Sequence, residues 1–299
     1  MSAATQVRGR YAPSPTGELH LGNLRTALLA WLSARSAGGE FLLRIEDLDS
    51  GRSREAWIDV QLAELRELGI DWDGEPIRQS RRHGLYAEAI ERLRRDGLVY
   101  ECFCTRAEIR EAASAPHGEL PEGAYPGTCR DLTPEQVAAH RAKGRRPALR
   151  VRTDRWSYEY EDLVCGTVRG RIDDFVVRRS DGDFAYNLAV TVDDADQRIT
   201  EVVRGADLLE TTGRQLWLYD KLGLTAPIKW AHVPLMRGED GARLAKRHGA
   251  VTLEERIDSG QGPHQVVGEL AASLELIPEP SPIEAARLLE GFSLAGLAD

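Results

Sequence analysis

The chain has 299 residues, a formal charge of −9 and 42% hydrophobic content. This is enough apolar material for one large packed unit or two small ones, and the acidic balance argues against a non-specific nucleic-acid binder, which neutralises phosphates with an excess of Lys and Arg. No apolar run reaches the roughly 18 residues of a membrane span and the N-terminus lacks the basic-then-apolar layout of a signal peptide, so a cytoplasmic protein with no membrane contact is expected; it is taken to be a monomer, although the sequence itself does not show the oligomeric state.

Val7, Gly9 and Tyr11 alternate with Arg8 and Arg10 as in a short strand. Pro13 and Pro15 stop it and Gly17 permits a tight turn. A helix then begins near His20, with Leu24, Leu28, Trp31 and Leu32 at helical spacing and Gly38-Gly39 as its end. His20, Gly22 and Asn23 fall at the helix N-terminus. Free N–H groups and partial positive charge there favour an anion such as a nucleotide phosphate, and Gly22 lets it approach the backbone. A lone histidine could equally do no more than cap the helix.

Phe41 to Ile45 is an apolar run of strand length that delivers Glu46, Asp47 and Asp49 at its C-terminal end, where ligands sit in open α/β sheets. The three carboxylates could hold a cation, one of them could take an ammonium group, or they could form a solvated acidic turn. Ser53 is placed to cap a helix carrying Ile58, Leu62 and Leu65 and ending at Gly69. A second helix is expected from Arg82 to Asp96, with Tyr86, Ile90 and Leu93 inward and Gly97 as its stop.

Cys102, Cys104 and Cys129 cluster, while Cys165 stands alone and reads as a buried, inert thiol. In a cytoplasmic chain clustered thiols are more often metal ligands than disulfides. Zinc takes four ligands, so Tyr125, His117 or water is left for the fourth place. Thr133-Pro134-Glu135-Gln136 is a capping box with Pro at the first helical position, and its helix should end before Gly144. The basic run from His140 to Arg152 reads as a solvated loop or a local anionic-partner patch. Ala148 to Arg152 has strand character, Gly166 to Arg171 that of a turn or hairpin, and Phe175 to Val177 that of a buried strand. Phe184 to Val190 reads as a strand or a strand running into a helix. Gly213 to Gly223 is an amphipathic helix with Leu216, Tyr219 and Leu222 inward, and Thr252–Glu255 and Ser281–Glu284 are further capping boxes.

His20-Leu21-Gly22-Asn23 resembles the His-Ile-Gly-His signature of class I aminoacyl-tRNA synthetases, with Asn23 in place of the second His, and Arg10-Tyr-Ala-Pro-Ser-Pro-Thr-Gly17 resembles the lead-in of their glutamyl branch. Arg243-Leu-Ala-Lys-Arg247 resembles the second signature, Lys-Met-Ser-Lys-Ser, departing from it at Arg243 and Ala245. His232-Val-Pro-Leu-Met236 resembles the last core strand before that loop. The resemblance implies an α/β, Rossmann-like class I catalytic domain. It implies that His20, Gly22, Asn23 and Lys246 bind ATP with Mg²⁺, and that His20 and Lys246 serve catalysis. It also implies an L-glutamate pocket made by Arg10, Tyr11, Ala12, Pro13, Ser14, Glu46, Tyr186 and Arg204, in which Glu46 takes the α-amino group and a guanidinium grips a carboxylate. The sequence leaves open which arginine takes which carboxylate.

Cys102, Cys104, Tyr125 and Cys129 resemble the structural zinc element of glutamyl-queuosine tRNA(Asp) synthetases, in which a tyrosine completes the site. The chain continues only about fifty residues past Ala250, without the helical anticodon-reading region of a full glutamyl-tRNA synthetase, which strengthens that resemblance. The implied layout is a catalytic domain over 1–100 and 131–250, a zinc-binding insertion over 101–130 and a short helical region over 251–299. The implied partners are ATP, L-glutamate and tRNA(Asp) bearing queuosine. A truncated synthetase charging tRNA(Glu), a small-molecule nucleotidyltransferase and a non-catalytic tRNA-binding regulatory relative are the other readings.

Overall fold

The computed structural model describes residues 6–114, 125–236, 238 and 251–297. Strand β1 (Arg8–Tyr11), helix α1 (Leu21–Ser36) and strand β2 (Glu40–Ile45) form a β-α-β unit with Arg8 opposite Glu40 and Tyr11 opposite Leu43 in parallel register. Parallel neighbours need such a crossover. The expected stripe of α1 is buried, and so are Ala27, Leu29, Ala30 and Ala34, because the helix packs on the sheet on one side and on the C-terminal region on the other. Helix α2 (Glu55–Glu67) leads to β3 (Ile77–Arg78), which pairs in parallel with the end of β2. The cap of α2 is Arg54, not Ser53. The amides of Arg52 and Ser53 both close on the Asp49 carbonyl, so a turn precedes the helix.

Helix α3 (His83–Arg95) buries Tyr86, Ile90 and Leu93 as expected. Next come β4 (Val99–Cys102), α4 (Arg106–Ser114), α5 (Pro134–Ala142), β5 (Ala148–Val151), β6 (Ser157–Asp162), β7 (Gly166–Arg171) and β8 (Val176–Arg178). Thr133 and Gln136 form the expected capping box of α5. Strands β4, β5 and β8 make a small antiparallel sheet, whereas Gly166 to Arg171 is a full strand, the second arm of a hairpin with β6.

Helix α6 (Tyr186–Asp196) occupies most of the stretch in which a strand was one alternative; only Phe184 bridges to Arg178. Strand β9 (Glu201–Gly205), helix α7 (Thr212–Leu222) and strand β10 (Lys229–Val233) complete a second β-α-β unit, and this sheet has the order β7-β6-β10-β9. Helix α7 buries Trp217 and Leu218 in addition to Tyr219 and Leu222. Thr200, just ahead of β9, donates its N–H to the Arg8 carbonyl, and its hydroxyl accepts the Arg8 N–H, which joins the two sheets along β1.

Helices α8 (Leu253–Asp258) and α9 (Pro263–Ala272) follow, α8 with its expected capping box at Thr252 and Glu255. The box expected at Ser281–Glu284 is absent. A Cβ on Gly268 would lie 1.9 Å from the Ser281 carbonyl oxygen and the Ile283 amide donates to the His264 carbonyl. The segment is therefore held against α9, and beyond it the described residues form two short 3-10 turns, at Ala285–Leu289 and Leu294–Leu297. Cys165 is exposed rather than buried, because it follows β6 in the turn at the molecular surface. Among the described residues no helix is long and apolar enough to cross a membrane.

Candidate active site

β1 lies between β2 and β9, so the chain winds away from it in two directions. Such a switch point opens a crevice beyond the strand C-termini. A cavity of about 840 Å³ occupies it, lined by residues 10–14, His20, Gly22, Asn23, Glu46, Tyr186 and Arg204. Every expected glutamate- and nucleotide-contacting residue among the described ones is thus at one cavity. Lys246 and the stretch Arg243–Arg247 lie outside the described residues, as does His117; Leu235 and Met236, which follow β10, line the same cavity.

The loop between β1 and α1 cannot join a sheet ladder, because Pro13 and Pro15 have no N–H. Its groups are satisfied from elsewhere. The Glu46 amide donates to Pro13 O at 2.9 Å and the Arg54 amide to Pro15 O at 3.0 Å. Gln61 Nε2 donates to Ser14 O at 3.1 Å and Gly17 O at 2.7 Å, and the Leu19 amide donates to Glu64 Oε2 at 3.0 Å. The loop therefore hands over at His20, the extended N-cap residue of α1, whose exposed imidazole makes no cap bond. Gly22 would place a Cβ 3.7 Å from Met236, so a side chain there would reach toward the cavity.

Of the three carboxylates after β2, only Glu46 lines the cavity. Asp47 is engaged by the Ser80 amide and hydroxyl, each at 2.7 Å, and by Arg78 Nε at 3.1 Å, which removes a three-carboxylate cation site. Burial raises the Glu46 carboxyl to about 7 against the opposing charges of Arg44 and Arg10, with Arg44 Nη2 3.5 Å from Oε1. A substrate ammonium would be a fitting countercharge.

The two candidate arginines differ. Arg10 is already paired with Asp194, Nε to Oδ1 at 3.2 Å and Nη2 to Oδ2 at 3.4 Å. Each hydrogen bond described for Arg204 ends on a neutral acceptor: His232 Nε2 at 2.9 Å, Gln215 Oε1 at 2.9 Å, Thr212 Oγ1 at 2.7 Å and Leu208 O at 3.5 Å. Tyr186, the first residue of α6, keeps a neutral phenol because burial pushes its pKa up. Sequence reasoning missed Trp57 and Gln61, both on the cavity wall, as well as Asp194 and His232. No motif carries Trp57, Gln61 or Asp194, and the resemblance of the stretch that includes His232 gives it no role; only the tertiary contacts bring them to the site.

At the other candidate centre the sulfurs of Cys102, Cys104 and Cys129 lie within 4.8 Å of one another. The Tyr125 hydroxyl is 3.3 Å from Cys102 Sγ and 3.7 Å from Cys104 Sγ, and Cys104 Sγ is 3.4 Å from Cys129 Sγ. A zinc tetrahedron has edges of about 3.8 Å between sulfurs and about 3.5 Å between sulfur and oxygen, so the four groups fit such an ion. Burial opposes a Cys102 thiolate, but Tyr125, the Cys104 amide and Arg150 outweigh it and lower the thiol pKa. Arg150 lies over the Tyr125 ring at 3.8 Å. The basic run is largely paired, Arg141 with Glu101, Arg145 with Glu108 and Arg152 with Asp131, but it is not a loop throughout, since it runs from the end of α5 through a short connection into β5.

Residues 6–269 match the family described as tRNA synthetases class I (E and Q), catalytic domain, which defines the class of the fold and its cavity. A glutamyl-Q tRNA(Asp) synthetase of Nocardia farcinica is 57% identical over 272 residues, covering 91% of this chain and 86% of that protein. One from Symbiobacterium thermophilum is 50% identical over 299 residues, covering 96% and 92%. The chain belongs to the glutamyl-Q tRNA(Asp) synthetase family within class I, and it is a ligase. A crystal structure of a glutamate tRNA ligase from Elizabethkingia meningosepticum in complex with its amino acid superposes with a TM-score of 0.82 at 28% identity, covering 98% of this chain and 66% of that one.

Proposed function

We propose that the protein activates L-glutamate with ATP and transfers it to queuosine in the anticodon of tRNA(Asp). The observation that carries the activation step is the single cavity in which Glu46, raised to about 7, shares the walls with Arg10, Arg204, Tyr186 and the N-terminus of α1. Glu46 receives the α-ammonium, and the guanidinium side of the pocket receives carboxylate. Glutamine is rejected because its amide sets donors against donors. The queuosine acceptor is supported by the naming of the relatives, not by a contact.

In the first step an α-carboxylate oxygen bonds to the α-phosphorus of ATP as the bond to the bridging oxygen breaks and pyrophosphate leaves. The helix N-terminus, His20 and Lys246 stabilise the charge that develops on the phosphates, and Mg²⁺ arriving with ATP neutralises part of it. In the second step a hydroxyl of the queuosine cyclopentenediol bonds to the glutamyl carbonyl carbon. The mixed anhydride breaks, and AMP leaves with the proton passing to solvent. The side chains position and stabilise, and none is a covalent nucleophile. We assign 1–100 and 131–250 to catalysis, 101–130 to a structural zinc element and 251–299 to a helical support, in a cytoplasmic monomer.

The test is ATP-dependent transfer of labelled glutamate to queuosine-containing tRNA(Asp), the same tRNA without queuosine, and tRNA(Glu). Label on the first alone, retained when its 3′-terminal adenosine has been removed beforehand, is expected. Label on tRNA(Glu) would make the protein a glutamate–tRNA ligase of the usual kind, and label on none would point to a regulatory relative.

A further inference from the structure

We infer that Asp162 and His232 are positioning residues that hold Arg204 ready for a carboxylate of the amino-acid substrate; the inference rests on the proposed reading of Arg204 as a carboxylate clamp. Three neighbouring strands create the arrangement. Arg204 of β9 is in register with His232 of β10, and Trp230 of β10 is in register with Asp162 of β6. His232 is fully buried.

An arginine only donates hydrogen bonds. The contact of its Nε with His232 Nε2 at 2.9 Å therefore requires a lone pair on Nε2, and the proton of the neutral ring must sit on Nδ1. Nδ1 lies 2.6 Å from Asp162 Oδ2. The other carboxylate oxygen accepts the amides of Val164 at 3.0 Å, Cys165 at 2.9 Å and His232 at 3.2 Å. Asp162 is thus a fixed acceptor, and it imposes the tautomer on the ring. The charged and titratable groups around the imidazole are Asp162 and Tyr160 from β6, Arg204 from β9, and Arg10 from β1 acting through charge alone. Burial first, and then the Arg204 charge, lower the His232 pKa against the pull of Asp162, in keeping with a neutral ring.

The choice of histidine has a chemical reason. A carboxylate on Arg204 Nε would fix the guanidinium equally well but would cancel the charge that a bound carboxylate needs. Imidazole supplies the acceptor without the charge and leaves the negative group one side chain away. Arg10, with Asp194 directly on it, shows the opposite solution.

The experiment is glutamate-dependent ATP–pyrophosphate exchange by the full chain with tRNA present, using His232→Asn, His232→Gln, Asp162→Asn and Arg204→Lys. Glutamine can place an oxygen near the former Nε2 position, whereas asparagine reaches only the Nδ1 position. His232→Asn and Asp162→Asn are expected to raise KM for glutamate about 10- to 100-fold with KM for ATP within about twofold, and His232→Gln to restore most of the loss. On Arg204→Lys, which lacks the Nε donor, His232→Asn should add less than about twofold. Equal rises in both KM values, or full additivity on Arg204→Lys, would overturn the relay. An unchanged glutamate KM in Arg204→Lys would overturn the clamp reading itself and the relay with it. Imidazole ¹⁵N spectra of the unmutated protein decide the case where variants do not fold: an Nδ1–H tautomer at pH 7 is expected, and an Nε2–H tautomer or imidazolium would sink the proposal.

Discussion

Arg10 and Asp194 meet inside the molecule, Nε to Oδ1 at 3.2 Å, with side-chain exposures of 4% and 1%. The same Oδ1 accepts Arg44 Nη1 at 2.7 Å, so one carboxylate on α6 anchors guanidinium groups from both β1 and β2. Removing it leaves two buried cations short of a partner, and breaking a buried pair in this way costs about 3–5 kcal/mol. Asp194→Ala should lose about that much in urea unfolding at pH 7. Burial opposes ionisation of Asp194, but Arg10 and Arg44 outweigh it and hold its pKa below the usual carboxylate value. A depressed folded pKa gives stability that is present above the unfolded value of about 3.9 and is lost as pH falls through the lower folded one. The difference between the unmutated protein and Asp194→Ala should therefore hold from pH 7 to about pH 4 and shrink below that. A difference that vanished already at pH 6 would contradict the assignment.

Glu46 has the opposite sign. Its folded pKa of about 7 lies above the ordinary carboxylate value, burial being the cause. Its contribution to the stability of the ligand-free protein is complete below the unfolded pKa and is lost as pH rises toward and through about 7. Binding of a substrate ammonium favours the ionised form. Glutamate affinity should rise as pH climbs from 6 to 8, with proton release on binding near pH 6.5 visible as a buffer-dependent calorimetric heat. Glu46→Gln should bind glutamate at least about tenfold more weakly and show no such proton release. A pH-independent affinity in the unmutated protein would remove Glu46 from the ammonium site.

Much of the scaffold was legible because its signals are local. The spacing of Leu24, Leu28 and Leu32, the capping box at Thr133 and the positive φ of +68° at Gly97 each follow from a few neighbouring residues. The misreadings share a cause too. Ser281 has the sequence of a helix cap, but its carbonyl is held against Gly268 on another helix, and tertiary contact overrides the local signal. Cys165 follows apolar Leu163 and Val164, yet it lies in a surface turn. At the site, the described residues reached through resemblance to the first signature and the glutamate pocket line one cavity, whereas Asp194 on α6 and His232 on β10 act through partners distant in sequence. Nothing near them in the chain announces those partners.

The proposed zinc element should behave as a separate thermodynamic unit. Cys102, Phe103, Tyr125 and Cys129 form a buried cluster of their own, against which Tyr100, Ile109, Leu132 and Val137 pack. Protein purified without added zinc is expected to hold about one equivalent by metal analysis. Cys104→Ser should lose most of it and expose 101–130 to limited proteolysis, while α1 and β1 keep their hydrogen-exchange protection. Tyr125→Phe removes the hydroxyl that accepts the Cys129 amide at 2.9 Å and should weaken zinc retention against a chelator without abolishing it. Full retention in Cys104→Ser would mean that the cysteines are not the ligands.

Gln61 presents a sharper test of how the site is built, since it touches the protein's own loop rather than relying on any ligand to reveal its effect. Its amide donates to the carbonyls of Ser14 and Gly17, on either side of Pro15 and just ahead of His20. Gln61→Ala leaves both carbonyls without that donor, at a cost of about 1–3 kcal/mol, and should lower kcat/KM for exchange about tenfold through a looser approach to α1. Gln61→Glu is nearly isosteric and would be the milder change if packing were the contribution. If donation is the contribution, the ionised carboxylate faces two carbonyl oxygens with nothing to offer, and Gln61→Glu should be worse than Gln61→Ala in both urea unfolding and exchange at pH 8. Lowering the pH to 5.5 should then recover part of the glutamate variant's loss and none of the alanine variant's, because a protonated carboxyl regains one donor. That reversal separates a hydrogen-bonded strap from a space-filling side chain.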